Sequence, residues 1–224
     1  MKILRSSIKQ IVRPPLHRPD LSRTYDIFGS DYGGWPVIKG SLLANSRVLS
    51  FGVGKDVTFD LGLIAAVGCR VHAFDPTPRC REWLDRQSLP ELFRFHPVGL
   101  SNRTDTLCFY APNEDNHVSF TQSEARNENQ MVELPVRSLR EIVDDLEIDR
   151  VDFLKMDIEG SEYDAIPDIL TRGPLPHQLC IEFHHGMFGY TNQQTREAVA
   201  NLRAAGYRLY FVSSTGREYA FVRN

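Results

Sequence analysis

Residues 48–76, VLSFGVGKDVTFDLGLIAAVGCRVHAFDP, read as a strand, a glycine turn, a helix and a second strand that ends in an acid. Val48 to Phe51 is a short apolar run. Gly52, Val53 and Gly54 then let the chain turn sharply and lie close to a ligand, because neither glycine carries a Cβ. From Val57 onward, Leu61, Ile64 and Ala65 recur at helical spacing. Residues 70–74 make the next strand, and Asp75 stands at its carboxyl end, twenty-one residues after Gly54. A carboxylate there can accept both hydrogens of a ribose diol, while free N–H groups at the turn face the rest of a nucleotide. The dinucleotide fingerprint wants a third small residue where Val57 stands. A nucleoside half-site is the favoured reading, and a tight turn with a helix cap is the plainer one.

Residues 151–163, VDFLKMDIEGSEY, form another apolar strand that ends in Asp157, followed by a Glu159-Gly160-Ser161-Glu162 turn and a helix. Together SFGVGKD, VHAFDPTP and FLKMDIEGSEYDAI resemble the FkbM-type family of S-adenosylmethionine-dependent O-methyltransferases, from about residue 31 to about residue 186. KMDIEGSE is the most specific part. The resemblance implies a class I methyltransferase that binds S-adenosylmethionine and methylates a hydroxyl. It further implies that the loop with Tyr32, Gly33 and Gly34 borders the cofactor, and that Gly99 and Leu100 lie beside the adenine. One departure matters: class I enzymes carry an acid just before the glycine turn to help hold the methionine amino group, and here that position is Ser50. Asp157 and Asp56 are the candidates to take over.

The rest of the chain is organised to match. A chain of 224 residues, 42% hydrophobic and 25% charged, suits one domain of about 200 residues with an extension: residues 1–30, then a domain over 31–224. Helices are expected over 79–87, 138–146, 161–170 and 193–205, and further strands over 92–98, 106–110, 131–136, 178–184, 208–213 and 217–222. Ser138 with Glu141 reads as a capping box, and Gly206 as a helix stop. The alternation describes an α/β fold: a doubly wound, seven-stranded, mostly parallel, Rossmann-like sheet with a terminal antiparallel hairpin. A nicotinamide oxidoreductase, the alternative enzyme, would end in a sixth parallel strand instead. The polar stretch 112–129 reads as a substrate-facing flap.

Net charge of −3 gives no electrostatic case for nucleic acid. No apolar run approaches the about 18 residues that span a bilayer. The start, MKILRSSIKQIVRPPLHRP, is basic but too interrupted for a signal peptide. Cys69, Cys80, Cys108 and Cys180 are scattered, as in a reducing compartment, so a cytoplasmic protein is expected.

Candidate chemistry gathers at strand ends. Lys155 on the fourth strand of the series and Glu182 on the fifth are expected to pair. An alcohol acceptor needs a base, and His184, with an imidazole that titrates near neutrality, is the expected one, with Asp157 as its neighbour and Glu159 close by. Asp157, Glu159, Glu182 and His184 could also hold a magnesium ion; the metal-free reading is preferred because Lys155 already sits beside them. The expected acceptor is a sugar or glycan unit, or a polyketide-like natural product. A non-catalytic relative of the fold is a further alternative, resting on Ser50.

Overall fold

In the computed structural model, which describes residues 15–110 and 131–223, the expected seven-stranded sheet is present. The chain begins with β1 (Tyr25–Phe28) and β2 (Trp35–Ile38), an antiparallel hairpin that straddles the division expected at residue 30. β3 (Arg47–Phe51), α1 (Thr58–Val67), β4 (Arg70–Phe74), α2 (Pro78–Leu84) and β5 (Phe93–His96) follow. Next come β6 (Gly99–Leu100), β7 (Asp105–Tyr110), β8 (Met131–Arg137), α3 (Leu139–Asp145), β9 (Phe153–Met156) and α4 (Glu162–Arg172). β10 (Gln178–Glu182), α5 (Asn192–Ala204), β11 (Tyr207–Val212) and β12 (Glu218–Arg223) complete the order.

The large sheet runs β11-β12-β10-β9-β3-β4-β5, with β12 antiparallel to both its neighbours and the next five strands parallel. A parallel strand covered on both faces cannot alternate polar with apolar. β3 obeys: Val48, Leu49 and Phe51 are fully buried. Leu49 and Phe51 pack with Leu154 and Ile181 beneath α3, α4 and α5, whereas Val48 packs with Val71 and Phe153 beneath α1 and α2. Helices on both faces make the sheet doubly wound.

Local signals set the helix ends. The Asp56 carboxylate accepts the Thr58 N–H at 2.9 Å, and α1 stops at Gly68, whose left-handed backbone (φ 74°) returns its N–H to Ile64. Ser138 caps α3 as expected, and α5 opens with a Thr191/Gln194 capping box.

Two expectations change. The third strand, expected over 92–98, ends at His96, and Gly99–Leu100 pairs instead with β8 in a separate sheet ordered β6-β8-β7. The strand expected over 178–184 ends at Glu182, so His184 lies beyond it. The expected flap, 112–129, lies outside the described residues, as do residues 1–14 of the basic start. Among the described residues, no helix is long and apolar enough to cross a membrane.

Chain order reverses between β3 and β9: β4 and β5 extend one way, β9 and β10 the other. In such sheets ligands enter the crevice outside the carboxyl ends at the reversal.

Candidate active site

A cavity of about 430 Å³ opens at that reversal, within the range of small-ligand sites. Its lining includes the expected Tyr32, Gly33, Gly52, Val53, Gly54, Asp75, Gly99, Leu100, Asp157 and Glu159. Gly34, Glu182 and His184 do not line it. Gly34 packs inward instead, where a Cβ would come 2.7 Å from the Ser30 carbonyl oxygen.

The glycine turn is glycine for two different reasons. Gly54 (φ 58°) donates its N–H to Asp75 Oδ2 at 2.9 Å. Gly52 (φ 75°) lies against β9's end: a Cβ there would sit 1.5 Å from the Asp157 carbonyl oxygen. Its small size serves contact between strand ends, where the sequence pointed to approach of a ligand.

Asp75 is nearly buried, at 6% exposure. Its Oδ2 accepts from Gly54 N, and its Oδ1 accepts from both the N–H and the hydroxyl of Thr77, the N-cap of α2. A carboxylate has about four acceptor positions, so one remains for a ribose hydroxyl rather than two. Burial pushes the Asp75 pKa up, opposed by the Thr77 and Gly54 hydrogen bonds. Asp75 therefore serves the fold as well as the ligand. Asp75→Ala strands the Gly54 and Thr77 N–H groups and should cost about 1–3 kcal/mol of stability. It should also weaken S-adenosylhomocysteine binding about tenfold, the value of one lost hydrogen bond. Thermal unfolding with and without that ligand separates the two losses; an unchanged melting temperature would refute the structural half.

His184 departs furthest from expectation. It is 2% exposed, beyond β10 and outside the cavity wall. Its Nδ1 lies 3.1 Å from Glu162 Oε1, and its Nε2 lies 3.2 Å from Glu159 Oε2 and 3.8 Å from Asp157 Oδ1. Burial opposes the charge, but the bonds to Glu159 and Glu162 hold the His184 pKa well above the usual imidazole value. A histidinium has no lone pair with which to take a proton. Its role as general base is corrected on both position and proton state. Glu162, which accepts the His184 and Gly160 N–H groups as well, is fully buried and went unnoticed in the sequence as a partner.

Asp157 does face the cavity. Burial, opposed by Lys155 and reinforced by Glu159, pushes its pKa up to about 6. Glu182 is raised well above the usual carboxylate range, by burial first and by Asp157 next. Asp157, Glu182 and His184 bring potential ligand atoms within 4.8 Å of one another. A divalent ion there would have to displace the His184 proton that Glu159 and Glu162 favour.

The expected Lys155–Glu182 pair is also replaced. Lys155 Nζ donates to the Phe51 and Gly52 carbonyls, at 3.3 and 2.9 Å, and lies 5.4 Å from the Trp35 ring centroid. Those carbonyls lie where β3 breaks off into the glycine turn: the Phe51 carbonyl also accepts the Asp157 N–H at 3.1 Å, and the ammonium adds a donor to it and supplies one to the Gly52 carbonyl.

Asp60 is the cavity residue that the sequence reading missed. It sits in the first turn of α1, 2% exposed, and burial pushes its pKa up to about 6 against the field of Lys155 and the nearby Ser50 hydroxyl. Although the Ser50 hydroxyl lies close enough to favour the charged form, Asp60 Oδ1 and Ser50 Oγ each lack a partner with hydrogen-bond geometry. The available signal was an acid on the same helical face as Leu63 and Ile64. Asp56, an expected holder of the amino group, is already engaged: it accepts from Thr58 through Oδ1 and from the Ser30 hydroxyl through Oδ2. Ser30 Oγ in turn accepts the Gly33 N–H at 2.9 Å, so the Tyr32 loop is tied to the start of α1.

These features fit a nucleoside with an amino-acid tail. The cavity has room, Asp75 keeps one acceptor position, and Phe74, Pro76, Leu100 and Phe109 supply apolar walls. An unpartnered buried carboxylate oxygen on Asp60 marks the other part of the lining as built for a polar ligand group.

A family model described as the Methyltransferase FkbM domain matches residues 44–209. Among solved structures, the chain is similar to an FkbM methyltransferase from Methylobacillus flagellatus at 16% identity and a TM-score of 0.49. That match covers 81% of this chain and 44% of the other, so the chain spans less than half of that relative's length. It is also similar to fibrillarin from Aeropyrum pernix in complex with natively bound S-adenosyl-L-methionine, at 10% identity and a TM-score of 0.48. There the match covers 88% of this chain and 81% of the other. No curated protein sequence matches the chain.

Proposed function

Because this chain belongs to the FkbM methyltransferase family, whose cofactor is S-adenosylmethionine, we propose that it methylates a hydroxyl of a sugar or glycan unit, with Asp157 as the general base. When bound, the cofactor supplies an electrophilic methyl group with a good leaving group behind it. The protein's tasks are then to aim the acceptor oxygen and to take its proton. Asp157 carries the proposal: it is a cavity-lining carboxylate whose pKa of about 6 leaves it ionised, yet more basic than an exposed acid, at neutral pH. The histidinium of His184 behind it fixes Glu159 and lies 3.8 Å from Asp157 Oδ1.

The acceptor class is argued from the mouth of the cavity. Tyr32 is 95% exposed there, within electrostatic reach of Asp157, Glu182 and Glu159. An aromatic face suits the C–H face of a sugar ring, and carboxylates suit its hydroxyls. A net charge of −3 supports a neutral acceptor over a nucleic acid.

Thermal shift tests the cofactor first. At about 100 times its Kd, S-adenosylhomocysteine should stabilise the protein by about 2.7 kcal/mol, several degrees, while NAD(H) should not. Mass-detected methyl transfer to glycosides, against polyketide alcohols, then tests the acceptor. Stabilisation by NAD(H) alone would overturn the reading, and transfer only to polyketide alcohols would replace the acceptor class.

A further inference from the structure

Asp60 and Lys155 are opposite charges in one buried wall of the cavity, and no ion pair within 4.0 Å joins Lys155 to any acid among the described residues. Asp60 feels the field of Lys155, but each is incompletely served by the protein. Asp60 Oδ1 has no partner at 2% exposure, nor has the neighbouring Ser50 Oγ at 0%. Lys155 donates to two carbonyls and has three N–H groups to give. Buried polar atoms are left in this state only rarely unless something else completes them. A cation with N–H donors completes Asp60, and an anion completes Lys155. An α-amino acid zwitterion carries both on one carbon.

We propose that Asp60 and Lys155 form the clamp for the amino-acid end of the cofactor: Asp60 Oδ1 receives the α-ammonium, and the third Lys155 N–H faces the α-carboxylate. The proposal rests on the cofactor reading above and deepens it. The competing holders are occupied, because both oxygens of Asp56 accept from Ser30 and Thr58, and Asp157 faces the carboxylates and imidazolium around His184. The acid missing at Ser50 is thus supplied from the helix beside it, ten residues later in the chain. Placement in the first turn of α1 favours the ionised carboxylate in addition.

Calorimetry on the intact protein tests the clamp with three ligands: S-adenosylhomocysteine, its analogue with hydroxyl in place of the α-amino group, and 5′-methylthioadenosine, which lacks the amino-acid end. Wild type should bind S-adenosylhomocysteine about 10- to 100-fold tighter than the hydroxyl analogue, the range expected for hydrogen bonds to a charged group. Asp60→Asn should erase that preference and leave 5′-methylthioadenosine affinity unchanged. It should melt no lower than wild type, since it removes a buried, under-solvated charge. Equal wild-type affinity for S-adenosylhomocysteine and the hydroxyl analogue would overturn the clamp whether or not the variant folds. Equal losses for all three ligands in Asp60→Asn would overturn it too. Failure of wild type to bind S-adenosylhomocysteine at all would instead remove the cofactor reading on which the clamp rests.

Discussion

Replacing Asp157 by Asn should lower turnover by about 10²–10⁴-fold, the usual value of a positioned general base, with S-adenosylhomocysteine affinity nearly unchanged. Asp157 lines the cavity, while the fold uses its backbone: the N–H donates to the Phe51 carbonyl and the carbonyl oxygen packs on Gly52. Asn keeps the shape and removes the basicity. Since a base acts when deprotonated and its pKa is about 6, wild-type turnover should fall as pH drops through about 6. The Asn variant should lack that inflection. His184→Ala should read out differently, as lost stability. It leaves Glu162, fully buried, without its counter-charge, a loss of about 3–5 kcal/mol in comparable pairs. Rate-against-pH profiles of the two variants decide the matter. If Asp157→Asn keeps the inflection and most of its turnover, the base lies elsewhere, with Glu159 next in line.

Gly52→Ala should fail to fold or melt far below wild type. The added carbon would fall 1.5 Å from the Asp157 carbonyl oxygen, and φ of 75° adds strain for any side chain. Neither strand end can yield without breaking the β3–β9 pairing that continues from Val48↔Phe153 to Phe51↔Met156. Losses above about 4 kcal/mol are reserved for clashes of this kind, and for a domain of this length that means roughly 8–16 °C. Gly68→Ala is the control: its φ is also positive (74°), but a Cβ there meets nothing within 4 Å, so it should lose only about 1 kcal/mol. A Gly52→Ala protein that melts normally yet cannot bind S-adenosylhomocysteine would restore ligand approach as the reason for the glycine.

The sheet was legible because its strands are buried on both faces and so read as unbroken apolar runs, closed by a glycine turn at Gly52 and acids at Asp75 and Asp157. The β1–β2 hairpin was not: β1 is largely exposed, and Pro36 interrupts the pattern of β2. Strand ends located the site, but alternation along a strand could not say what each side chain meets there. Lys155 turns to the backbone carbonyls of β3's end, which no residue pattern encodes. His184 escapes the alternation rule because β10 stops two residues before it, and Glu162 at the start of α4, the helix before β10, captures it. Asp60 was hidden among apolar helix positions, where its burial was the clue and its chemistry the consequence.

The reversal of strand order between β3 and β9 also governs when this site comes into being. Lys155 and the Gly52 carbonyl that it binds are 103 residues apart in the chain, with the whole β6-β8-β7 sheet intervening. Loop closure of that length is slow, and it precedes the contacts that Lys155 and Asp157 bring to the cavity. A nascent chain therefore emerges with its glycine turn and Asp75 in place but with no binding wall opposite. Ligand cannot nucleate folding from the amino-terminal half alone; it can only lock the structure after β9 has docked, which makes cofactor a late-acting stabiliser in the refolding kinetics.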